Sequence, residues 1–272
     1  GIFNSGSVIG AVVAPPLIVY LAQHDGFRTA FFVPASLGVL WVVLWWLAYP
    51  KHGTHEVKGT EKARIPLKMM LQRSSTWAVM VCRALIGPVI QFYWYWLPSY
   101  LYSARHMSMT KIGELSWIPF FLGSIGGVAG GWSAGWLERR GASLPRVRKV
   151  TMYFSSGFCL ASFAVPFVAS PVVALMVISL AIFAHNFLSA NMYGAITDLF
   201  ADEEVGRATG LSGVASGLTG LLFPLLTGYL VDQGSYRFVF MIAALMPLAG
   251  TIALFVLARQ YRTMTRVQAA QG

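Results

Sequence analysis

Long apolar runs separated by short polar stretches dominate this chain. A run of about 20 apolar residues can cross a bilayer as a helix, since each residue advances about 1.5 Å through a hydrocarbon layer about 30 Å thick. The pattern therefore predicts an all-α integral membrane protein with eight transmembrane helices. The predicted spans are residues 1–22, 29–49, 77–103, 112–137, 147–169, 172–196, 208–231 and 237–258.

The end of the chain repeats its beginning. Shifting residues 7–31 forward by 209 positions gives seven identities without a gap, among them Pro15 with Pro224 and Arg28 with Arg237. An apolar bias does not supply proline and arginine, and both copies place the arginine in a short polar hinge between two apolar runs. Internal symmetry of this kind is typical of transporter folds built from repeated halves.

The spacing of the repeat sets the size of its unit. Span one recurs as span seven, so the unit is six helices and a complete ancestor would have twelve. The eight spans then correspond to helices five to twelve, and we interpret the chain, which starts at Gly1 without a methionine, as N-terminally truncated. The predicted organisation is 1–49 as the last two helices of the first half, 50–76 as a cytoplasmic linker lying on the membrane surface, 77–258 as the complete second half and 259–272 as a cytoplasmic tail.

Composition supports the membrane assignment and argues against catalysis. Only 11% of the residues are charged and 56% are apolar, whereas soluble proteins carry about 25% charged residues. Cys82 and Cys159 lie inside predicted spans and form neither a metal spacing nor a disulfide framework. No nucleophile and base pair occurs within a span, so we expect no enzyme, no metal and no cofactor.

The net charge of +10 indicates topology rather than nucleic-acid binding. Fifteen basic residues fall in the linker, the loops after spans four and six, and the tail, whereas the opposite loops hold only Arg28, Arg105, Lys111 and Arg237. By the positive-inside rule the basic side is cytoplasmic, which places both ends of the chain inside. We expect a multi-pass protein of the cell (inner) membrane without a nucleic-acid partner.

Few ionisable groups lie deep in the predicted bilayer. All ten acidic residues fall at span ends or in loops, which leaves Arg83 in span three and His185 in span six. A cavity lined by these helices would be neutral to positive and would favour an anion. Two alternatives stay open, because Arg83 lies near the predicted cytoplasmic end and could snorkel, and His185 could be a neutral packing residue.

Polar side chains near these two groups are candidates for substrate contacts. Gln91 and Tyr95 are four residues apart and share a helix face, as His185 and Ser189 do. We predict that Arg83 holds a carboxylate and that the uncharged polar residues bond hydroxyl groups. The predicted substrate-binding set is Arg83, Gln91, Tyr95, His185, Asn186, Ser189 and Asn191.

Small residues and prolines are the candidates for helix contact and movement. Span four has four glycines at strict intervals of four, from Gly123 to Gly135, with Gly126 and Gly130 as a second row. Such a stripe lets another helix touch the backbone and would let the halves rock. Prolines inside spans one and seven break the backbone hydrogen bonding near mid-membrane. The predicted conformational set is Pro15, Pro16, Gly123, Gly127, Gly131, Gly135, Arg139, Arg140 and Pro224.

Four motifs carry a resemblance to a known family. They are Phe3-Asn4-Ser5-Gly6 with Gly10 and Ala14-Pro15-Pro16, Trp96-Leu97-Pro98 with Tyr100-Leu101, Ala184-His185 with Ser189-Ala190-Asn191, and Asp198-Leu199-Phe200 with Gly210-Leu211. These motifs resemble the anion:cation symporter family of the major facilitator superfamily, and most closely its bacterial hexuronate transporters. The chain departs from the family pattern at Gly87, Gly135 and Leu188.

The resemblance implies a twelve-helix fold with a central cavity, alternating access and proton-coupled uptake of a sugar-acid anion. It also implies a proton carrier on helices that this chain does not contain, whereas the residues alone leave His185 as the other candidate. We expect the full-length protein to be monomeric, and we expect no transport by these eight helices alone. The alternatives are a non-transporting membrane protein that binds or senses a ligand, and an inactive truncated product.

Overall fold

The computed structural model describes residues 2–48, 66–258 and 261, with the side chains of residues 2–9, 11 and 12 excepted. Within these ranges the protein consists of helices joined by short turns, without a strand. The helices are α1 (Ile2–His24), α2 (Phe27–Ala48), α3 (Leu67–Leu71), α4 (Ser74–Ser99), α5 (Met109–Leu115), α6 (Trp117–Arg139), α7 (Leu144–Cys159), α8 (Pro171–Leu199), α9 (Asp202–Asp232) and α10 (Tyr236–Leu257).

Seven helical segments in the described part of the chain are long and apolar enough to cross a membrane. They correspond to predicted spans two to eight and confirm the all-α membrane fold. The first predicted span also forms a helix, α1, but many of its side chains are not described, so the count of eight stays a prediction. The seven segments are Phe27–Ala48, Ser74–Ala104, Met109–Arg139, Leu144–Phe167, Pro171–Leu199, Asp202–Asp232 and Tyr236–Leu257.

Three of these segments are not single α-helices. A π-helical turn, Tyr100–Ala104, follows the end of α4, two residues after Pro98, which has no backbone N–H to donate. The fourth predicted span divides at Ser116 into α5 and α6. In the fifth predicted span, α7 continues as a 3₁₀ helix, Leu160–Phe167.

The prolines of the repeat do not end their helices. Pro15 and Pro16 lie inside an uninterrupted α1, and Pro224 lies inside an uninterrupted α9. Each proline still removes one backbone donor from the helical hydrogen bonding. Their role in a conformational change stays a prediction.

The core of the described part lies between α4 and α8. Helices α9 and α10 pack on α4, and helices α6 and α7 pack on α8. Helix α1 lies against α5 and α6. One cluster of buried side chains surrounds Phe92 and Phe240, whose ring centroids are 5.3 Å apart at 82°. A second cluster lies around Cys82 and Leu188. The two helices that carry the deep ionisable residues are therefore the central pair of this bundle.

The end of the predicted linker docks on α4, while residues 50–65 lie outside the described ranges. Met70 on α3 is completely buried in the cluster around Cys82. The Thr76 hydroxyl donates to the Met70 oxygen at 2.6 Å, and the Trp77 indole N–H donates to the Leu71 oxygen at 2.8 Å. These contacts fix how the chain enters α4, and thereby the position of Arg83.

Candidate functional site

The two deep ionisable residues lie at the contact between α4 and α8. On α8, the His185 Nε2 atom lies 2.9 Å from the Ile86 backbone oxygen of α4. About one turn before Ile86, the Arg83 guanidinium lies over the Tyr193 ring of α8, 4.7 Å from its centroid. Because His185, Ser189 and Tyr193 are four residues apart, they share one face of α8. This face and the side of α4 that carries Arg83 form the candidate site.

His185 is buried and bonded to the backbone of α4. It is 2% exposed, and since a carbonyl oxygen only accepts, Nε2 donates its proton to Ile86. In a neutral ring Nδ1 is then an acceptor, and it has no hydrogen-bond partner among the described residues. The environment of His185 fits the packing alternative more closely than a water-filled cavity. Its part in substrate binding stays a prediction.

Arg83 is half-buried and has no carboxylate partner in the described ranges. Arg73 is paired with Glu204 and Arg148 with Asp198, but no described residue forms an ion pair or a hydrogen bond with the Arg83 guanidinium. The Arg83 Cζ atom lies over the Tyr193 ring, and no described oxygen accepts a hydrogen bond from the N–H edge of the guanidinium. The edge of Arg83 can therefore bind an anion.

Gln91 and Tyr95 have different surroundings on α4. The Gln91 side chain lies against α9, where a Cβ on Gly220 would collide with its Oε1 atom. This Oε1 atom is buried and has no hydrogen-bond partner within the described part of the chain. Tyr95, one turn further on, is 66% exposed. The structure thus leaves an unpaired acceptor at the α4–α9 contact, and the predicted roles of both residues in binding hydroxyl groups stay untested.

The two asparagines face α6 rather than α4. Asn186 lies beside Gly123, where an added Cβ would collide with its side-chain amide. The Asn191 amide donates to the Gly130 oxygen of α6 at 3.1 Å and to the Phe187 oxygen at 3.0 Å. The structure therefore divides the predicted set, with Arg83 and His185 at the α4–α8 contact and both asparagines against α6.

The glycine row that touches α8 is not the row with strict intervals of four. A Cβ on Gly126 or Gly130 would collide with a backbone oxygen of α8, and Gly123 faces the same helix. No described atom lies within 4 Å of a Cβ placed on Gly127 or Gly131. The helical period of about 3.6 residues explains the difference, because a continuous contact row alternates steps of three and four.

The end of α6 carries the remaining predicted conformational residues. Arg139 and Arg140 are exposed, and the Arg140 guanidinium lies over the Trp136 ring at 3.9 Å. A Cβ on Gly135 would meet only the Arg139 side chain, at 3.4 Å. Their part in conformational change stays a prediction, as does that of Gly127 and Gly131.

A buried ion pair at the ends of α7 and α8 was missed in the sequence. Arg148 and Asp198 are joined by Nε to Oδ2 at 2.7 Å and by a second nitrogen to Oδ1 at 3.3 Å. Glu138 lies 3.8 Å from the same guanidinium, and Asn191 accepts from it at 3.5 Å. A Cβ on Gly194 would collide with the guanidinium. The sequence pattern had assigned Arg148 and Asp198 to loops.

Tyr261 links the C-terminal tail to this ion pair. Its hydroxyl donates to the Asp198 Oδ2 atom at 3.3 Å and to the Ala195 oxygen at 3.5 Å. Burial raises the pKa of the Tyr261 phenol, and the Asp198 carboxylate acts in the same direction. The phenol therefore stays protonated and able to donate. The described part of the tail is attached to the end of α8.

A helical stripe in the sequence could have revealed Arg148. Arg148, Thr151 and Ser155 recur at steps of three and four along α7, and all three are buried. A polar stripe at that spacing indicates a helix face that meets other polar groups. Tyr193 had a similar signal, since it continues the four-residue spacing of His185 and Ser189 on α8.

A model of the Major Facilitator Superfamily matches residues 1–185 and 146–271. The chain belongs to this superfamily. Together with the seven candidate spans, this membership makes the chain a multi-pass membrane protein of a family of transporters, which are not enzymes. It confirms the superfamily to which the motifs pointed and the all-α membrane class, while the correspondence with helices five to twelve stays a prediction.

The curated relatives of this superfamily member include bacterial sugar-acid transporters. The chain is 26% identical over 273 residues to the hexuronate transporter of Escherichia coli (strain K12), covering 94% of this chain and 63% of the relative. It is 27% identical to the probable L-galactonate transporter of the same organism, covering 96% and 61%. It is 27% identical to the hexuronate transporter of Bacillus subtilis (strain 168), and this match covers 94% of this chain and 62% of the relative. The chain thus spans less than two thirds of these relatives.

A solved structure supports the fold. A bacterial homolog of the human lysosomal transporter Spinster, in an inward-facing and unoccupied conformation, superposes with a TM-score of 0.58. It is 13% identical, and the match covers 96% of this chain and 68% of that one. At this identity the likeness concerns the helical architecture alone.

Proposed function

We propose that this chain is part of a secondary active transporter for an organic anion, a hexuronate or a related sugar acid. The transporter works by proton-coupled symport with alternating access in the inner membrane, with both chain ends in the cytoplasm. The names of the curated relatives support the substrate class. The observation on which the proposal depends is Arg83, a half-buried cation without a carboxylate partner in the described ranges.

The chemistry of Arg83 fits a carboxylate substrate. A cation in an apolar span is costly and needs an anionic or polar partner. The planar guanidinium binds a carboxylate through two parallel hydrogen bonds, which fixes its orientation. In this proposal the substrate carboxylate lies at the free edge of Arg83, and Ser189 and Gln91 bond the hydroxyl groups of the sugar acid.

The proposed architecture assigns α1 and α2 to helices five and six of twelve. The helices from α4 to α10 then form the six-helix second half. The contact of α1 with α5 and α6 becomes a contact between the halves. Rocking at this contact alternates access, and Gly127, Gly131 and Gly135 leave one side of α6 free of bulky side chains. The proton carrier is a carboxylate on helices outside this chain, with His185 as the second candidate.

Uptake by the complete protein tests the proposal. The full coding sequence that contains residues 1–272 is expressed in a bacterial strain without hexuronate uptake, and labelled glucuronate, galacturonate and galactonate are offered. We expect saturable uptake that an uncoupler abolishes. Arg83→Leu reduces uptake at least tenfold, because the carboxylate loses a charge-assisted bidentate partner worth about 1.5–3 kcal/mol.

The matched control is Arg237→Leu, which removes an arginine that lies over the Phe167 ring outside the candidate site. Its uptake should equal that of the wild type. Absence of uptake of every sugar acid by the wild type contradicts the proposal, and saturable binding without flux favours a sensing protein instead. Wild-type uptake by His185→Ala and Gln91→Ala would remove those residues from the site.

A further inference from the structure

We infer that Tyr193 is a positioning residue for Arg83 and orients its guanidinium so that the N–H edge receives the substrate carboxylate. The inference rests on the proposed function for the identity of the ligand. Its structural basis is the single contact between the Tyr193 ring on α8 and the Arg83 guanidinium on α4, at 4.7 Å. A guanidinium within about 6 Å of a ring centroid is attracted by the negative face of the ring.

Two other described arginines are held through their N–H groups. Arg148 is held by the Asp198 carboxylate at 2.7 Å. Arg105 donates to the backbone oxygens of Val165 and Val168. In both cases the N–H groups are used, so neither arginine has its full set of donors left for a ligand.

Arg83 is ordered without the use of its donors. An arginine side chain that becomes fixed loses about 2 kcal/mol of rotamer entropy. The attraction to the Tyr193 ring meets part of this cost before a substrate arrives, and no described residue accepts a hydrogen bond from the Arg83 N–H groups. Arg83 is therefore preorganised for a planar anion, and this lowers the cost of binding.

Two consequences follow from the chemistry of the contact. Lysine cannot replace Arg83, because its ammonium group has no planar edge for a bidentate carboxylate. Phenylalanine can replace Tyr193, because the contact uses the ring, and no described residue is hydrogen-bonded to the Tyr193 hydroxyl.

Transport kinetics of the complete protein test the inference. We expect Tyr193→Leu to raise KM for the sugar acid about fivefold with little change in kcat or melting temperature, and Tyr193→Phe to keep the wild-type KM. In an Arg83→Leu background, Tyr193→Leu should add no further change, because no cation is left for the ring to position. The control is Tyr229→Leu, an exposed tyrosine on α9. If the wild type transports a sugar acid and Tyr193→Leu has the same KM, the inference is overturned and the proposed function stays intact.

A second measurement does not depend on transport. Phenylglyoxal reacts with guanidinium groups, and mass spectrometry of the purified protein gives the rate at Arg83. The Tyr193 ring lies beside that group, so we expect modification to be several-fold faster in Tyr193→Leu and unchanged in Tyr193→Phe. Equal rates in all three proteins overturn the inference, whether or not the wild type carries a sugar acid.

Discussion

The two copies of the internal repeat share local structure but differ in what surrounds them. The shift of 209 positions places the first residue of α2, Phe27, on the first residue of α10, Tyr236. The repeated prolines lie inside α1 and α9. Yet Phe31 is 63% exposed, whereas its equivalent Phe240 is 1% exposed.

The difference lies in the neighbours of each pair. α10 packs on α4 and α7 and α9 packs on α4, whereas α2 packs on α1, which lies against α5 and α6. The two pairs therefore have different neighbours among the described helices. A repeated sequence specifies the helix, the turn and the helix, but not the surface that covers them. Matched substitutions at equivalent positions of the two copies can measure how much their different surroundings contribute to stability.

The largest difference is expected at the repeated phenylalanine. Phe240→Ala should lower the free energy of unfolding by about 3 kcal/mol, because its ring packs against Phe92 and Tyr100 and its loss leaves a void. Phe31→Ala should change it by less than about 0.5 kcal/mol. Unfolding of the purified chain in a detergent titration measures both. Equal losses would mean that the two copies have equivalent surroundings.

A smaller difference is expected at the repeated arginine. Arg237 lies over the Phe167 ring at 4.6 Å, while Arg28 is exposed and forms no such contact with a described ring. Arg237→Leu should cost about 0.5–1 kcal/mol through the lost cation–π attraction, and Arg28→Leu close to nothing. Lysine at either position serves as the charge-preserving control. A larger cost at position 28 would contradict the asymmetry.

At the repeated tyrosine the direction should reverse. Tyr20 stacks on His24, one turn away, with centroids 4.3 Å apart, whereas Tyr229 has no described aromatic partner. Tyr20→Leu should therefore destabilise by about 0.2–0.5 kcal/mol more than Tyr229→Leu. Tyr20→Phe keeps the ring that stacks on His24 and should keep the wild-type stability. An equal effect in both leucine variants would show that the stack contributes nothing.

The candidate site could be predicted only in part. Arg83 and His185 stand out because ionisable groups are rare inside apolar runs, and both lie at the α4–α8 contact. Asn191 could not be separated from them, because the sequence does not show which neighbouring helix each polar residue of α8 faces. Arg148 and Asp198 are 50 residues apart, and no local pattern states that such positions pair.

What the sequence alone determined is the class of the molecule, the approximate positions of the helices and the repeat. These follow from the length and period of apolar runs, which depend on the bilayer and on local backbone hydrogen bonds. The tertiary structure decided which glycine row touches α8, which arginine is neutralised and which keeps a free edge, and which copy of the repeat is covered. Those features depend on contacts between distant residues, and helix packing in a membrane is set by the fit of side chains that local pattern does not encode.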